Sequence, residues 1–100
     1  MESRYKKKFS ESSEDGFEQL RKELKEAQHI IYVSLFDKDL INSFEGRIEG
    51  DFRNGNYIKL FSKGYECRIL KHKFKKYTFN HQTDDYEIIL DNNRMLVGIK

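Results

Sequence analysis

Hydrophobic and polar residues follow two different periods along this chain. Within residues 15–28 the apolar positions recur at the spacing of one helix face, at Phe17, Leu20, Leu24 and Ala27. Charged residues fill the other positions, as in an amphipathic helix of about three turns. Asp15 followed three residues later by Glu18 matches a capping box at the start of such a helix. The pattern therefore predicts a helix that begins at Asp15 and ends near Gln28.

After His29 the apolar period becomes two, which indicates strands. In the first such segment, one face is formed by Ile31, Val33 and Leu35. In the second, the apolar face is formed by Phe44, Gly46, Ile48 and Phe52. Glycine on an apolar face lets a strand bend sharply or accept close packing, and Gly46 and Gly50 hold such positions. The second segment is therefore predicted to be a half-buried, bent strand.

Turn residues divide the rest of the chain into short strands. Asn54-Gly55 is a strong hairpin signal and predicts positive φ at both residues. The return strand over residues 57–61 should point Ile58 and Leu60 inward. Further turns are expected at residues 62–64, 80–85 and 91–93. The expected fold is mainly β with one N-terminal α-helix, a small SH3-like or Sm-like bent β-barrel of five or six antiparallel strands.

Composition favours one small intracellular domain. The chain has 100 residues, of which 37% are hydrophobic and 36% are charged, enough apolar material for one core. Residues 1–14 are almost devoid of apolar side chains and are expected to be a flexible basic and acidic tail, with the helix-plus-barrel domain over residues 15–100. No apolar run is long enough for a membrane span, and residues 1–8 lack the apolar core of a signal peptide. Because Cys67 is the single cysteine, no internal disulfide is expected, and the predicted location is the cytoplasm.

Candidate catalytic chemistry is sparse in this sequence. The three histidines (His29, His72 and His81) have no spacing that resembles a metal site, and Cys67 has no neighbouring histidine. Residues 37–39 resemble the start of a calcium loop, but a solvated turn is the favoured interpretation. The expectation is a binding module without enzymatic activity, cofactor or metal.

Positive charge is concentrated in one segment. Residues 59–77 carry seven cations against the single anion Glu66, whereas residues 1–58 and 78–100 are each net −2. Aromatic residues lie among these cations, at Tyr57, Phe61, Phe74 and Tyr77. Cations for phosphates and aromatic faces for bases are the requirements of a single-strand binder. The alternative is a solvated edge strand whose lysines prevent sheet-to-sheet aggregation.

Residues 17–79 resemble the Sm-like superfamily, in particular the bacterial RNA chaperone Hfq. The bent-strand element Phe44-Glu45-Gly46-Arg47-Ile48-Glu49 is similar to the second strand of that family. Residues 69–72, Ile-Leu-Lys-His, followed by Phe74, resemble its tyrosine-lysine-histidine signature. Residues 20–23 of the helix resemble its arginine-rich rim. Family members assemble as rings and bind uridine-rich RNA at the central pore.

The resemblance and the charge pattern together imply a set of RNA-binding residues. Through the resemblance, Lys71 and His72 would contact RNA, and a basic rim would be formed by Arg21, Lys22 and Lys25. The basic segment adds Tyr57, Arg68, Lys73, Lys75 and Lys76. The favoured partner is single-stranded RNA, bound by a homo-oligomeric ring.

A second resemblance points to a different partner. Residues 33–69 are similar to the YolD-like proteins of Gram-positive bacteria and their mobile elements, which also place a helix before a small barrel. The shared element is Phe44-Glu45-Gly46-Arg47-Ile48. This resemblance implies a phage- or mobile-element-encoded adaptor or inhibitor that binds a host protein, through an acidic surface of that partner. The two resemblances agree on architecture and disagree on partner.

Overall fold

The computed structural model describes residues 13–100 and contains one helix and seven strands. The helix is α1 (Ser13–Glu26). The strands are β1 (Ile30–Asp37), β2 (Asp39–Asp51), β3 (Tyr57–Ser62), β4 (Tyr65–Leu70), β5 (Phe74–Asn80), β6 (Asp85–Leu90) and β7 (Arg94–Ile99). A single 3₁₀ turn, Lys71–Lys73, joins β4 to β5. Of the predicted tail, residues 1–12 lie outside the described residues.

Helix α1 begins earlier than its sequence predicted. Its first described residue is Ser13, so Asp15 lies within the helix and is not its cap. The predicted apolar stripe is confirmed, because Phe17, Leu20 and Leu24 are each no more than 1% exposed. The helix ends at Glu26, close to the predicted end.

The seven strands form one curled antiparallel sheet in the order β4-β3-β2-β1-β7-β6-β5. The mainly β architecture with one N-terminal helix is therefore confirmed, but there are seven strands rather than five or six. Strands β6 and β7 are integral to the sheet, because they lie between β5 and β1.

The bend of β2 divides the sheet into two halves. Gly46 has a φ of 117°, a backbone conformation that only glycine adopts without strain. As far as Ile48 β2 pairs with β1, whereas Glu49, Gly50 and Asp51 pair with β3. The predicted bent strand is thus confirmed, with Phe44 and Ile48 buried.

A β-bulge in β1 overturns part of the predicted alternation. The register shifts between Ile30 and Tyr32 against both neighbouring strands. Because a bulge inserts one extra residue, the side chains before it change faces. Ile30 is therefore buried and Ile31 is 36% exposed, the reverse of the expected pattern, while Val33 is buried as predicted.

The prediction of a tight turn at Asn54-Gly55 is wrong. Neither residue is among the described residues with positive φ, and the connection from β2 to β3 is a five-residue loop, residues 52–56. Arg21 explains the wider loop, because its guanidinium donates hydrogen bonds to three loop carbonyls. These carbonyls belong to Phe52 (2.9 Å), Asn54 (2.6 Å) and Gly55 (3.3 Å). The return strand itself is as expected, with Ile58 and Leu60 fully buried.

Helix α1 packs over β5 and closes one side of the core. The rings of Phe17 and Phe74 meet edge to face at 5.6 Å. At the border of this contact the Glu23 carboxylate accepts hydrogen bonds from the hydroxyls of Tyr77 (3.0 Å) and Tyr86 (3.1 Å). These bonds satisfy two tyrosine hydroxyls at the edge of an apolar core. No helix in the described part of the chain is long and apolar enough to cross a membrane.

Candidate nucleic-acid interface

A short connector brings five of the predicted RNA-binding residues together. We call residues 71–76 the basic connector, because they run from the 3₁₀ turn into β5 with Lys71, His72, Lys73, Lys75 and Lys76. The side chain of Lys71 is half-buried, and the other four side chains are exposed. The connector joins β4 and β5, which are the two edge strands of the sheet.

Backbone hydrogen bonds hold the connector at its first residue and at the end of the 3₁₀ turn. The amide of Lys71 donates to the carbonyl of Asn56 at 2.9 Å, and the carbonyl of Lys73 accepts from the amide of Asp91 at 2.9 Å. The Lys75 ammonium lies 3.5 Å from the carboxylate of Asp91. An exposed pair at this distance contributes little to stability and leaves the lysine able to exchange partners. The connector therefore presents its cations from a fixed backbone.

The aromatic residues of the connector region do not face solvent. Phe74 is 4% exposed and Tyr77 is 1% exposed, and both belong to the core. The pairing of β5 with β6 shifts register between Phe74 and Lys76. This bulge leaves Lys75 and Lys76 exposed while both aromatic side chains point inward. The expectation that these two rings stack on bases is therefore wrong.

Tyr57 and Arg68 lie on a different surface, which we call the outer hairpin face. This surface is the solvent side of β3 and β4, where register pairs Lys59 with Arg68 and Phe61 with Glu66. The Arg68 guanidinium lies 4.7 Å from the centre of the Tyr57 ring and also donates to the Glu66 carboxylate at 2.7 Å. This contact covers one face of the Tyr57 ring with a cation already paired to an acid.

Acids from β2 neutralise the outer hairpin face. The register places Asp51 beside Lys59 and Glu49 beside Phe61. Hydrogen bonds from Arg53 hold the pKa of Asp51 below its ordinary value, so this carboxylate is charged. Together with Glu66, these acids face three cations, Arg53, Lys59 and Arg68. The excess of positive charge counted along residues 59–77 therefore remains at the connector and at Lys63.

The helix cations predicted to form a rim have different environments. Arg21 is 13% exposed at its side chain, and its guanidinium is engaged by the loop over residues 52–56 and by Glu18 at 3.1 Å. Lys22 and Lys25 are both exposed, and Lys25 lies in the last turn of the helix. Arg21 therefore acts within the fold, as a support for the loop.

The structure also describes the surroundings of the remaining candidate residues. Burial raises the pKa of the Cys67 thiol to about 11, so the thiol is protonated near neutral pH. In the same part of the chain, no three or more His, Cys, Asp or Glu side chains are placed to hold a metal ion. Residues 37–39 form the tight tip of the β1–β2 hairpin, as predicted, with Lys38 at a φ of 72°.

The same hairpin carries a feature that sequence analysis missed. Leu40 and Ile41 are each 56% exposed, and the nearby Phe36 ring is covered by the Arg94 guanidinium at 4.4 Å. Residues 36–43, which lie between the first two predicted strand segments, extend β1 and β2 into a protruding hairpin. The apolar pair Leu40-Ile41 beside a charged turn is the signal in the sequence that marked this position.

Comparisons with protein-family models, with curated proteins and with solved structures gave no match for this chain. The resemblances to Hfq and to the YolD-like proteins therefore stay predictions.

Proposed function

We propose that this protein is a non-catalytic module that binds single-stranded RNA through the basic connector. The observation that carries the proposal is a run of four lysines and one histidine within six consecutive residues, held by backbone hydrogen bonds at Lys71 and Lys73. Clustered cations on a fixed backbone neutralise successive phosphates. A single strand suits this site because its backbone can follow a short, protruding turn.

The connector contacts phosphates more than bases. Phe74 and Tyr77 are buried, so His72 supplies the one exposed ring of the connector. Stacking on aromatic rings provides much of the affinity of typical single-strand binders. Binding should therefore depend steeply on salt and weakly on base sequence, with any uridine preference supplied by His72.

The test is fluorescence anisotropy with a labelled uridine-rich single strand over a salt series. Four lysine contacts predict a log-log slope of about −3 for the wild type, since each contact adds about 0.7. The double variant Lys73→Ala/Lys75→Ala should reduce the magnitude of that slope by about 1.4. The matched control Lys59→Ala/Arg68→Ala removes two charges from the neutral outer hairpin face and should change the slope by less.

Two results would contradict the proposal. The first is a wild-type protein that does not bind the oligonucleotide even at low salt. The second is an equal loss in the connector variant and in its control, since that would assign binding to overall charge.

Ring assembly is part of the same proposal. Strands β4 and β5 are the edges of the sheet, and unpaired edges are able to pair with a neighbouring chain. Pairing β4 of one copy with β5 of the next would bring the connectors of all copies together. Sedimentation equilibrium distinguishes a hexamer or heptamer of 12.1 kDa subunits from a monomer.

A protein-binding adaptor is the second candidate, and the protruding β1–β2 hairpin favours it. Exposed Leu40 and Ile41 provide an apolar contact, and the connector would meet an acidic surface of the partner. A monomer that fails to bind RNA, combined with a host protein captured by the wild type and lost by Leu40→Ser/Ile41→Ser, would favour this function.

A further inference from the structure

A cavity of about 570 Å³ lies beside the C-terminal end of α1. We call it the helix-end cavity. It is bounded by the last turn of α1, by the link over residues 27–29 and by the bend of β2, and Phe52 and Lys100 complete the wall. Its volume falls within the range of small-molecule sites. None of the exposed connector residues lines it, so it is separate from the proposed RNA site.

The floor of the cavity is aliphatic. Leu24, Ile30 and Ile48 are between 1% and 6% exposed and form the apolar base. Phe52 forms a side wall, because its ring lies against Gly50 so closely that a Cβ there would be 2.3 Å from the ring. At Gly46, by contrast, an added Cβ would meet no atom within 4 Å. Because Gly46 has no side chain, no side-chain atom of this residue borders the cavity at the bend of β2.

The rim is basic, and three of its cations lack acidic partners. Lys25, His29, Arg47 and Lys100 lie at the rim, and Glu49 is the one acidic side chain among the lining residues. Within residues 13–100 no acidic side chain pairs with Lys25, Arg47 or Lys100. All other arginines in this part of the chain form an ion pair, namely Arg21, Arg53, Arg68 and Arg94. Arg47 is therefore the arginine whose guanidinium is available for a ligand.

We propose that the helix-end cavity binds a small amphiphilic anion. An aliphatic body would lie on Leu24, Ile30 and Ile48, and a carboxylate or phosphate head would meet Arg47 and Lys25. A guanidinium presents a planar fork that matches both kinds of head group. An aliphatic body fits better than a nucleobase, because Gln28 supplies the one side-chain amide in the lining that could read a polar base edge.

Isothermal titration calorimetry with decanoate as the probe tests separately the contributions of the charged head group and of the hydrocarbon chain to binding. Decanol has the same hydrocarbon chain without the charge, and dodecyl phosphate replaces the carboxylate. The variant Lys25→Gln/Arg47→Gln should weaken decanoate binding at least about tenfold, since each factor of ten corresponds to about 1.4 kcal/mol, and should leave decanol unchanged. The control Lys63→Gln/Arg94→Gln removes one lysine and one arginine outside the cavity, and it should bind decanoate as the wild type does.

A second variant tests the volume rather than the charge. Ala27 lines the cavity, so Ala27→Leu should fill part of it and weaken decanoate and decanol alike. The melting temperature of each variant reports whether it is folded, and amide shifts of Gly46 and Gly50 on titration locate the ligand at the cavity.

Several results would overturn the proposal. They are absence of decanoate and dodecyl phosphate binding, equal loss in the charge variant and its control, or binding of adenosine monophosphate in place of both amphiphiles. A charge variant that lowers the melting temperature while decanoate never binds would show that Lys25 serves only the negative end of the helix dipole. RNA binding through Lys73 and Lys75 is measured independently and does not depend on these outcomes.

Discussion

The basic connector and the outer hairpin face look alike in sequence and differ in structure. Both alternate cations with aromatic residues. In the connector Phe74 is a core residue, as is the adjoining Tyr77, and the lysines lie at the surface. On the outer hairpin face Tyr57 and Phe61 remain half-exposed, and cations cover their rings at 4.7 Å and 5.3 Å.

The difference comes from backbone geometry and strand pairing. A bulge in β5 places two consecutive lysines on the solvent side, so the aromatic residues on either side both turn inward. On the outer hairpin face the regular register of β2 and β3 sets Asp51 beside Lys59. Local charge density therefore indicates a binding surface only when neighbouring strands add no opposite charge.

The largest expected effect contrasts Tyr77, the residue that follows the connector, with Tyr57 on the outer hairpin face. Tyr77→Ala should destabilise the protein by about 3–5 kcal/mol, as for other large aromatic residues removed from a core. Tyr57→Ala should cost about 1 kcal/mol or less, because its main partner is the exposed Arg68. Urea unfolding followed by circular dichroism measures both. Similar losses for the two variants would show that the two regions do not differ in burial as described.

The next contrast concerns two arginines at the loop that leads into the outer hairpin face. Arg21→Ala removes three hydrogen bonds from a guanidinium to loop carbonyls and should cost about 1.5–3 kcal/mol. Arg53 is 90% exposed at its side chain, so Arg53→Ala should change stability by no more than about 0.5 kcal/mol. Thermal unfolding of both variants gives the comparison. An Arg21→Ala protein as stable as the wild type would mean that the loop holds its shape without the guanidinium.

The smallest effect tests the bend that brings the acids of β2 to the outer hairpin face. A Cβ added at either Gly46 or Gly55 would have no atom within 4 Å, so the two sites differ in backbone conformation and not in space. Gly46→Ala should cost about 1–2 kcal/mol because of its left-handed φ. Gly55→Ala should be neutral or stabilise by up to about 1 kcal/mol, through reduced entropy of the unfolded chain. Effects of the same sign and size in unfolding experiments would argue against the bend at Gly46.

Local patterns in the sequence determined most of the secondary structure and much of the core. The helical spacing of Phe17, Leu20 and Leu24 and the alternation around Phe44 and Ile48 predicted buried faces correctly. These signals are local, because side chains three or four residues apart share a helix face and those two apart share a strand face. The cluster of connector cations is likewise visible in the sequence, since its members are adjacent along the chain.

Tertiary structure decided the features that depend on residues far apart in the chain. The guanidinium of Arg21 reaches a loop more than 30 positions away and replaces the tight turn that Asn54-Gly55 alone would favour. The bulge at Ile31, which shifts the register of β1 against both β2 and β7, reverses the faces expected at the start of that strand. Pairing of β2 with β3 neutralises cations that a count along residues 59–77 leaves in excess. The helix-end cavity is formed where α1, β2 and Lys100 come together. The periodicity of the sequence does not predict this contact, because the three parts are far apart along the chain.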